Sequence, residues 1–207
     1  MKQRLLLGGL ALVAALNASC GNVVRQGKAP VFLVVDLLQG QRGAVDPGDP
    51  TGVLLSDVLT MVTAPEPCTP ETPCPTIFDD FGRVSLRTSL KDVNSPTGPS
   101  TNNDVTITRY RVVFRRADGR NTPGVDVPYG FDSAFTATIP GGGSVKDLNF
   151  ELVRHNSKIE APLVQLINSP TVITTIAEVT FYGRDLVGNE VSASASIGVN
   201  FGNFGDY

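Results

Sequence analysis

The sequence is poor in the side chains that most often carry chemistry. It contains no Trp, four Tyr and a single His among its 207 residues. The one histidine, His155, stands between Arg154 and Asn156, and no Gly-x-Ser-x-Gly element elsewhere offers it a nucleophile. We therefore expect no catalytic residue. The lack of Trp also argues against a sugar site built from stacked aromatic rings.

Long helical patterns are missing too. Beyond the first twenty residues, no stretch of convincing length has the apolar spacing of an amphipathic helix. The 21 Gly and 15 Pro instead divide the chain into short apolar segments separated by turns. Gly141, Gly142 and Gly143 lie between two strand patterns and not ahead of a helix, so they do not form a phosphate-binding loop. The sequence predicts an all-β protein.

Positive charge is in short supply. The chain carries 17 Lys and Arg against 20 Asp and Glu, and its formal net charge is -3. Lys2 and Arg4 lie in a segment that we expect to be removed, which leaves the remaining chain more acidic still. Nucleic-acid binding requires basic side chains that neutralise phosphates. We therefore expect no nucleic acid among the partners.

Residues 1–19 have the organisation of a secretory signal. Lys2 and Arg4 form a basic start, an almost wholly apolar run follows over residues 5–16, and small residues precede Cys20. The apolar run is much shorter than the roughly 20 residues that a helix needs to cross a bilayer. We expect this segment to be cleaved and the protein to be exported.

The end of this segment, Ala18-Ser19-Cys20, resembles the lipobox of bacterial lipoproteins. It differs from the family pattern in having Asn17 where a Leu is usual. The resemblance implies that Cys20 is acylated with palmitate, becomes the new N-terminus and anchors a tether over residues 20–30. It also implies a place at the outer membrane or cell surface. The alternative is ordinary cleavage near Ala18, which would leave Cys20 as an unmodified thiol.

Two further cysteines, Cys68 and Cys74, lie in a proline-rich loop and enclose Thr-Pro-Glu-Thr-Pro. In an oxidising compartment they should form a disulfide, and acylation of Cys20 then accounts for the third thiol. The chain-entropy model gives a loop of this length about 2.4 kcal/mol of stabilisation. With so few free thiols and imidazoles, we expect no metal site of the zinc type and no cofactor.

The clearest strand pattern covers residues 176–201. Apolar and polar residues alternate in both halves of this stretch, and Asp185, Gly188 and Asn189 interrupt them with turn chemistry. Alternation with a period of two on both sides of a turn predicts two half-buried antiparallel strands. We therefore predict a β-hairpin with one apolar face.

Residues 183–192 of that hairpin, Gly-Arg-Asp-Leu-Val-Gly-Asn-Glu-Val-Ser, resemble the last hairpin of bacterial immunoglobulin-like and fibronectin-III-like modules. The resemblance implies an elaborated immunoglobulin-like antiparallel β-sandwich over residues 31–207. The chain lacks the Cys-Trp-Cys core of antibody domains, and Val179 stands where a tyrosine corner would place Tyr. Long loops are predicted at 39–52, 64–80 and 117–132.

Three shorter stretches predict details of the strands. The apolar run at 31–35 predicts a first strand buried on both faces. The inward-facing set changes phase between Ile107 and Tyr110, which indicates a β-bulge or a corner. Residues 163–167 are flanked by prolines and are predicted to form an edge strand or an extended linker.

Arg109, Arg111 and Arg115 share one face of a predicted strand and form the one unusual surface feature. As a functional surface they would dock an anionic partner, such as the carboxylates of an envelope protein, an acidic glycan or lipid headgroups. The alternative is a solvated sheet face on which the arginines pair with Glu178 of a neighbouring strand. Such cross-strand pairs contribute under about 1 kcal/mol each.

Asp46 and Asp49 raise the question of a calcium site in the loop at 39–52. Their spacing matches no calcium-binding loop, and both residue types are common in turns. We predict a role in the turns of this loop.

The function predicted from these features is that of an exported, membrane-anchored lipoprotein. It would act as a non-catalytic binding or scaffolding module at the cell envelope. The alternative is a structural subunit of a surface assembly, which differs from a binding module in the number of partners that it contacts at once. An envelope hydrolase built from scattered carboxylates is the remaining alternative.

Overall fold

A computed structural model describes residues 27–94 and 98–205, so Cys20 and the predicted signal segment lie outside the described residues. The described chain is all-β, as predicted. Its strands are β1 (Val31–Gln41), β2 (Val53–Asp57), β3 (Thr60–Val62), β4 (Cys74–Thr76), β5 (Asp80–Leu90), β6 (Val105–Arg115), β7 (Phe131–Ile139), β8 (Ser144–Val153), β9 (Ile173–Asp185) and β10 (Glu190–Gly202). The helical elements whose bounds lie within the described residues are a short α-helix, α1 (His155–Ile159), and two 3-10 helices, Thr101–Asn103 and Leu163–Leu166.

The strands form two main sheets. β1, β5 and β8 make a three-stranded antiparallel sheet in that order, and the second sheet has the order β2-β10-β9-β6-β7. In the second sheet β2 runs parallel to β10, with Val53 opposite Gly198. The prediction of an entirely antiparallel arrangement is therefore wrong at this edge. Parallel pairing is compatible with the chain because most of the fold lies between the two strands and no hairpin joins them.

The hairpin predicted near the C-terminus is formed by β9 and β10. The two strands pair antiparallel without interruption from Arg184 opposite Glu190 to Ile173 opposite Phe201. The side chains on the apolar face are buried at Ala177, Val179, Phe181, Val191, Ile197, Val199 and Phe201. The alternation in the sequence thus matches the burial in the sheet.

The turn of this hairpin is closed by one carboxylate. Asp185 accepts hydrogen bonds from the backbone N–H groups of Val187 at 3.1 Å and Asn189 at 2.7 Å. Gly188 has a φ of 93°, in the left-handed region that L-residues with a Cβ rarely adopt. The Asp, Gly and Asn of the turn therefore each serve the role that their chemistry predicts.

β6 contains the irregularity predicted from the phase shift. Its register against both β7 and β9 slips between Ile107 and Arg109. Because of the slip, Ile107 and Tyr110 both face the core although they are three positions apart, and Arg109 points outward.

A core of buried apolar residues from both sheets lies at the centre of the fold. The ring of Tyr110 on β6 is 5.0 Å from that of Phe150 on β8 and 6.2 Å from that of Phe181 on β9, between centroids. Phe131 and Phe135 of β7 approach the same ring edge-on. Aromatic pairs of this kind add about 0.5–1.5 kcal/mol each beyond their area burial. Tyr110 therefore packs against side chains of both sheets.

Two predictions about individual strands are wrong. β1 is not buried on both faces, because Val31 and Leu33 are buried whereas 56% of Phe32 is exposed. Residues 163–167 form a 3-10 helix over Leu163–Leu166 and not an extended strand. The flanking prolines excluded a central strand, but a proline is equally suited to the start of a helix, and Pro162 caps this one.

Candidate functional site

Arg109, Arg111 and Arg115 lie on the outer face of the five-stranded sheet, and we refer to them as the arginine face. About half of each side chain is exposed. The inward neighbours Tyr110 and Val112 are buried in the core. The structure thus brings the three arginines to one surface, because the bulge restores strict alternation after Ile107.

Carboxylates from neighbouring strands occupy this face. Arg109 Nη1 donates a hydrogen bond to Asp132 Oδ1 at 2.8 Å, and Arg111 Nε lies 4.0 Å from the other oxygen of Asp132. Arg115 Nε donates to Glu178 Oε2 at 2.8 Å, which is the partner named in the solvated-face alternative. Each contact is between half-exposed groups, for which pairing contributes about 0.2–1 kcal/mol. Two carboxylates therefore neutralise most of the charge of three guanidinium groups.

A shallow cleft adjoins Arg109. The guanidinium of Arg109 stacks on the ring of Tyr182, 3.8 Å from its centroid. Arg184 and Glu190 line the same cleft and form an ion pair of 3.2 Å. Its volume is about 140 Å³, well below the roughly 300–1,000 Å³ of sites that enclose small-molecule ligands. The cleft is therefore too small to hold a substrate of drug-like size.

Arg116 and Arg120 do not extend the arginine face. Both follow β6 and converge on Asp118, with Nη2 to Oδ2 distances of 2.7 Å and 2.9 Å. The hydrogen bond from Arg116, followed by that from Arg120, holds the pKa of the exposed Asp118 carboxyl far below its usual value. The three residues form a local cluster at the start of the loop between β6 and β7, which covers residues 116–130.

Cys68 and Cys74 form the predicted disulfide, with their Cα atoms 5.3 Å apart. Cys74 opens β4, which pairs with β3 through Val62. Inside the closed loop, the backbone groups of Thr69 and Thr72 exchange two hydrogen bonds of 3.1 Å. The loop predicted at 64–80 is thus stiffened by the disulfide and by the pairing of β3 with β4. We refer to residues 60–76 as the disulfide finger.

The other residues singled out in the sequence have structural surroundings. His155 begins α1, and its backbone N–H donates a hydrogen bond to Asp79 at 2.5 Å. Asp46 and Asp49 are exposed in the loop between β1 and β2. Over residues 27–94 and 98–205, no three His, Cys, Asp or Glu side chains are grouped closely enough to hold a metal ion.

A buried polar cluster that the sequence did not predict lies between β2, β5 and α1. Asp80, at the start of β5, and Lys158, in α1, are both fully buried, with Lys158 Nζ 2.9 Å from Asp80 Oδ2. Ser56 of β2 completes the cluster and is equally buried. The three residues come from distant parts of the chain, and α1 has no sequence pattern that would have drawn attention to Lys158.

Comparison with protein-family models, curated proteins and solved structures finds no match to this chain. Within the described part of the chain, the helices are all too short or too polar to cross a membrane. The function must therefore be inferred from the residues and their arrangement.

Proposed function

We propose that this protein is an exported lipoprotein that serves as a non-catalytic binding or scaffolding module at the cell envelope. The observation that carries the proposal is the pairing of the cysteines. Cys68 and Cys74 form a disulfide, which is typical of proteins in an oxidising compartment. Of the three cysteines only Cys20 is left, and it directly follows a segment with the features of a secretory signal.

An anchor at the N-terminus would set the orientation of the fold through the direction of β1. The chain enters the fold at Pro30, whose carbonyl accepts a hydrogen bond of 2.9 Å from the backbone N–H of Lys91. β1 then runs for 11 residues, which is about 36 Å at 3.3 Å per residue. The disulfide finger precedes β5, whose first residues pair with the last residues of β1. An anchor at Cys20 would therefore leave the finger at the end of the fold remote from the membrane.

We assign the fold to the immunoglobulin-like sandwiches on the order of its strands. In those domains strands A, B and E are neighbours in one sheet, G, F and C in the other, and an aromatic residue of strand C fills the core. The orders β1-β5-β8 and β10-β9-β6 correspond to these two sheets. Tyr110 of β6 takes the place of the Trp that the sequence lacks.

Metabolic labelling with palmitate tests the proposed anchor. We expect wild-type protein to be labelled and to sediment with membranes, and the Cys20→Ala variant to be exported without label. The double variant Cys68→Ser/Cys74→Ser is the matched control, because it removes two cysteines and should keep the label. Equal labelling of wild type and Cys20→Ala, or no label in either, would remove the anchor from the proposal.

A further inference from the structure

Asp80, Lys158 and Ser56 form a buried polar centre between β2, β5 and α1. All three residues are fully buried. Lys158 Nζ is 2.9 Å from Asp80 Oδ2, and it has no other polar partner within the described residues. The amine and the carboxyl group therefore lie in direct contact, away from solvent. Cγ of Asp80, the carbon of that carboxyl group, is one C–O bond of about 1.23 Å from Oδ2.

Each oxygen of Asp80 has its own donor. The backbone N–H of Gly43 donates to Oδ1 at 2.8 Å, and the hydroxyl of Ser56 donates to Oδ2 at 2.5 Å. Burial raises the pKa of the Asp80 carboxyl above its ordinary value, although Lys158 and these two donors oppose the shift. Two opposite charges in a dry interior are costly to desolvate, so a proton transfer that neutralises both groups is favoured there more than in water.

We propose that Lys158 and Asp80 condense with each other to form an amide, which cross-links α1 covalently to the start of β5. A proton passes from the Lys158 ammonium to Oδ2 of Asp80, and this leaves a neutral amine beside a neutral carboxylic acid. Nζ attacks Cγ and forms the C–N bond. The C–Oδ2 bond breaks, and Oδ2 leaves as water with the transferred proton and a second proton from Nζ. Atoms and charge balance, and no oxidant or other reactant is required.

The neighbours of Asp80 are placed to assist this reaction. The Gly43 N–H points at the oxygen that carries negative charge in the tetrahedral intermediate, which is the role of an oxyanion-hole donor. Ser56 contacts Oδ2, the oxygen that leaves, and its hydroxyl can relay a proton there. Fixing the amine against the acid replaces a bimolecular encounter with an intramolecular one. The side chains are closed off from bulk solvent, which disfavours hydrolysis, and the amide no longer carries the two charges of the ion pair.

Peptide mapping of the full chain tests the cross-link directly. The protein is denatured, reduced, alkylated and digested with trypsin, which cleaves after the basic residues that bound the two peptides. We expect residues 43–83 joined to residues 155–184 in one branched species, lighter than the two peptides together by one water molecule. Trypsin does not cleave after an acylated lysine, so residues 155–158 should not be released. An ion pair does not survive denaturation, and separate peptides 155–158 and 159–184 as the main products of wild type would overturn the proposal.

Three variants sharpen the test. Lys158→Met removes the nucleophile and should give only linear peptides, whereas Lys146→Met, at an exposed position of β8, should keep the branched species. Ser56→Ala should reduce the cross-linked fraction at a matched time after synthesis, and an unchanged fraction would remove Ser56 from the reaction. The wild-type digest decides the question even if Lys158→Met fails to fold. None of these outcomes depends on the lipid anchor or on the proposed function.

Discussion

The hydroxyl of Tyr110 on β6 donates a hydrogen bond of 3.0 Å to the carbonyl oxygen of Glu151 on β8. The two strands belong to different sheets, so this bond spans the core and connects the layers through a polar contact. Only 2% of Tyr110 is exposed, and its ring packs against four phenylalanines. One side chain thus supplies the centre of the apolar core and a tie between the sheets.

Replacing Tyr110 by Phe should keep the aromatic packing and remove the hydrogen bond to the Glu151 carbonyl. We expect Tyr110→Phe to lower the free energy of unfolding by about 0.5–1.5 kcal/mol, the usual net contribution of one hydrogen bond. Urea denaturation monitored by circular dichroism measures the loss. Tyr129→Phe is the matched control because 57% of Tyr129 is exposed. An equal loss in both variants would contradict the special role of the Tyr110 hydroxyl.

Tyr110 should also make the free energy of unfolding depend on pH in the alkaline range. Burial raises the pKa of the Tyr110 phenol above its ordinary value of 10.0, so the native state holds this proton more tightly than the unfolded state. The contribution of the protonated Tyr110 phenol to the free energy of unfolding is fully present below pH 10, the ordinary pKa. It is lost as the pH rises from 10 through the raised pKa of the native state. We expect the difference in melting temperature between wild type and Tyr110→Phe to shrink between about pH 9 and 11. A constant difference across that range would contradict the raised pKa.

The arginine face should bind polyanions more strongly when its own carboxylates, Asp132 and Glu178, are neutralised. Heparin is a suitable probe for an acidic glycan. We expect wild type to be retained weakly on a heparin column and Asp132→Asn/Glu178→Gln to be retained more strongly, because Arg109 and Arg115 lose their present partners. Retention should fall as salt shortens the Debye length from about 10 Å at 0.1 M to about 3 Å at 1 M.

The matched variant replaces Arg109, Arg111 and Arg115 with Ser. It should stay folded, since each exposed pair contributes only about 0.2–1 kcal/mol, and it should not be retained at any salt concentration. If this variant unfolds, the arginines are structural. Strong, salt-sensitive retention of wild type would show that the face binds anions in spite of Asp132 and Glu178.

The disulfide should stabilise the finger more than the fold. Cys68→Ser/Cys74→Ser should lower the free energy of unfolding by at most about 2.4 kcal/mol, because the closed loop is short. Limited proteolysis should nick the variant between β3 and β4 well before the sheets unfold, while Glu71→Gln, an exposed change in the same loop, should leave the wild-type pattern intact. Global unfolding of the double variant at 25 °C would show that the finger is needed for the core.

Gly188 and Gly48 offer a matched pair for the cost of a left-handed backbone. An added Cβ would meet open space at both positions, but only Gly188 has a positive φ. Gly188→Ala should therefore cost about 1–2 kcal/mol and Gly48→Ala close to nothing. Chemical denaturation of the two variants gives the comparison. Equal stabilities would mean that the turn after Asp185 can adopt another form.

The features that depend on near neighbours along the chain could be predicted from the order of the amino acids. The period-two alternation of β9 and β10, the Asp185 and Gly188 of their turn and the phase shift before Tyr110 each encode backbone geometry within a few residues. The disulfide between Cys68 and Cys74 belongs to the same class, because the two thiols are close in sequence and have few other partners. The arginine face also follows from alternation alone.

Contacts between groups that are distant along the chain became apparent only in the folded protein. β2 could be placed beside β10 only once the order of the strands was known, and a short apolar strand carries no signal for parallel or antiparallel pairing. Prolines around residues 163–167 excluded a central strand but did not distinguish an extended linker from a 3-10 helix. In the sequence Asp80 looks like a turn residue and Lys158 like a surface lysine. The fold buries them together because β5 pairs with β8, which leads into α1, so their contact is a consequence of topology and not of any local pattern.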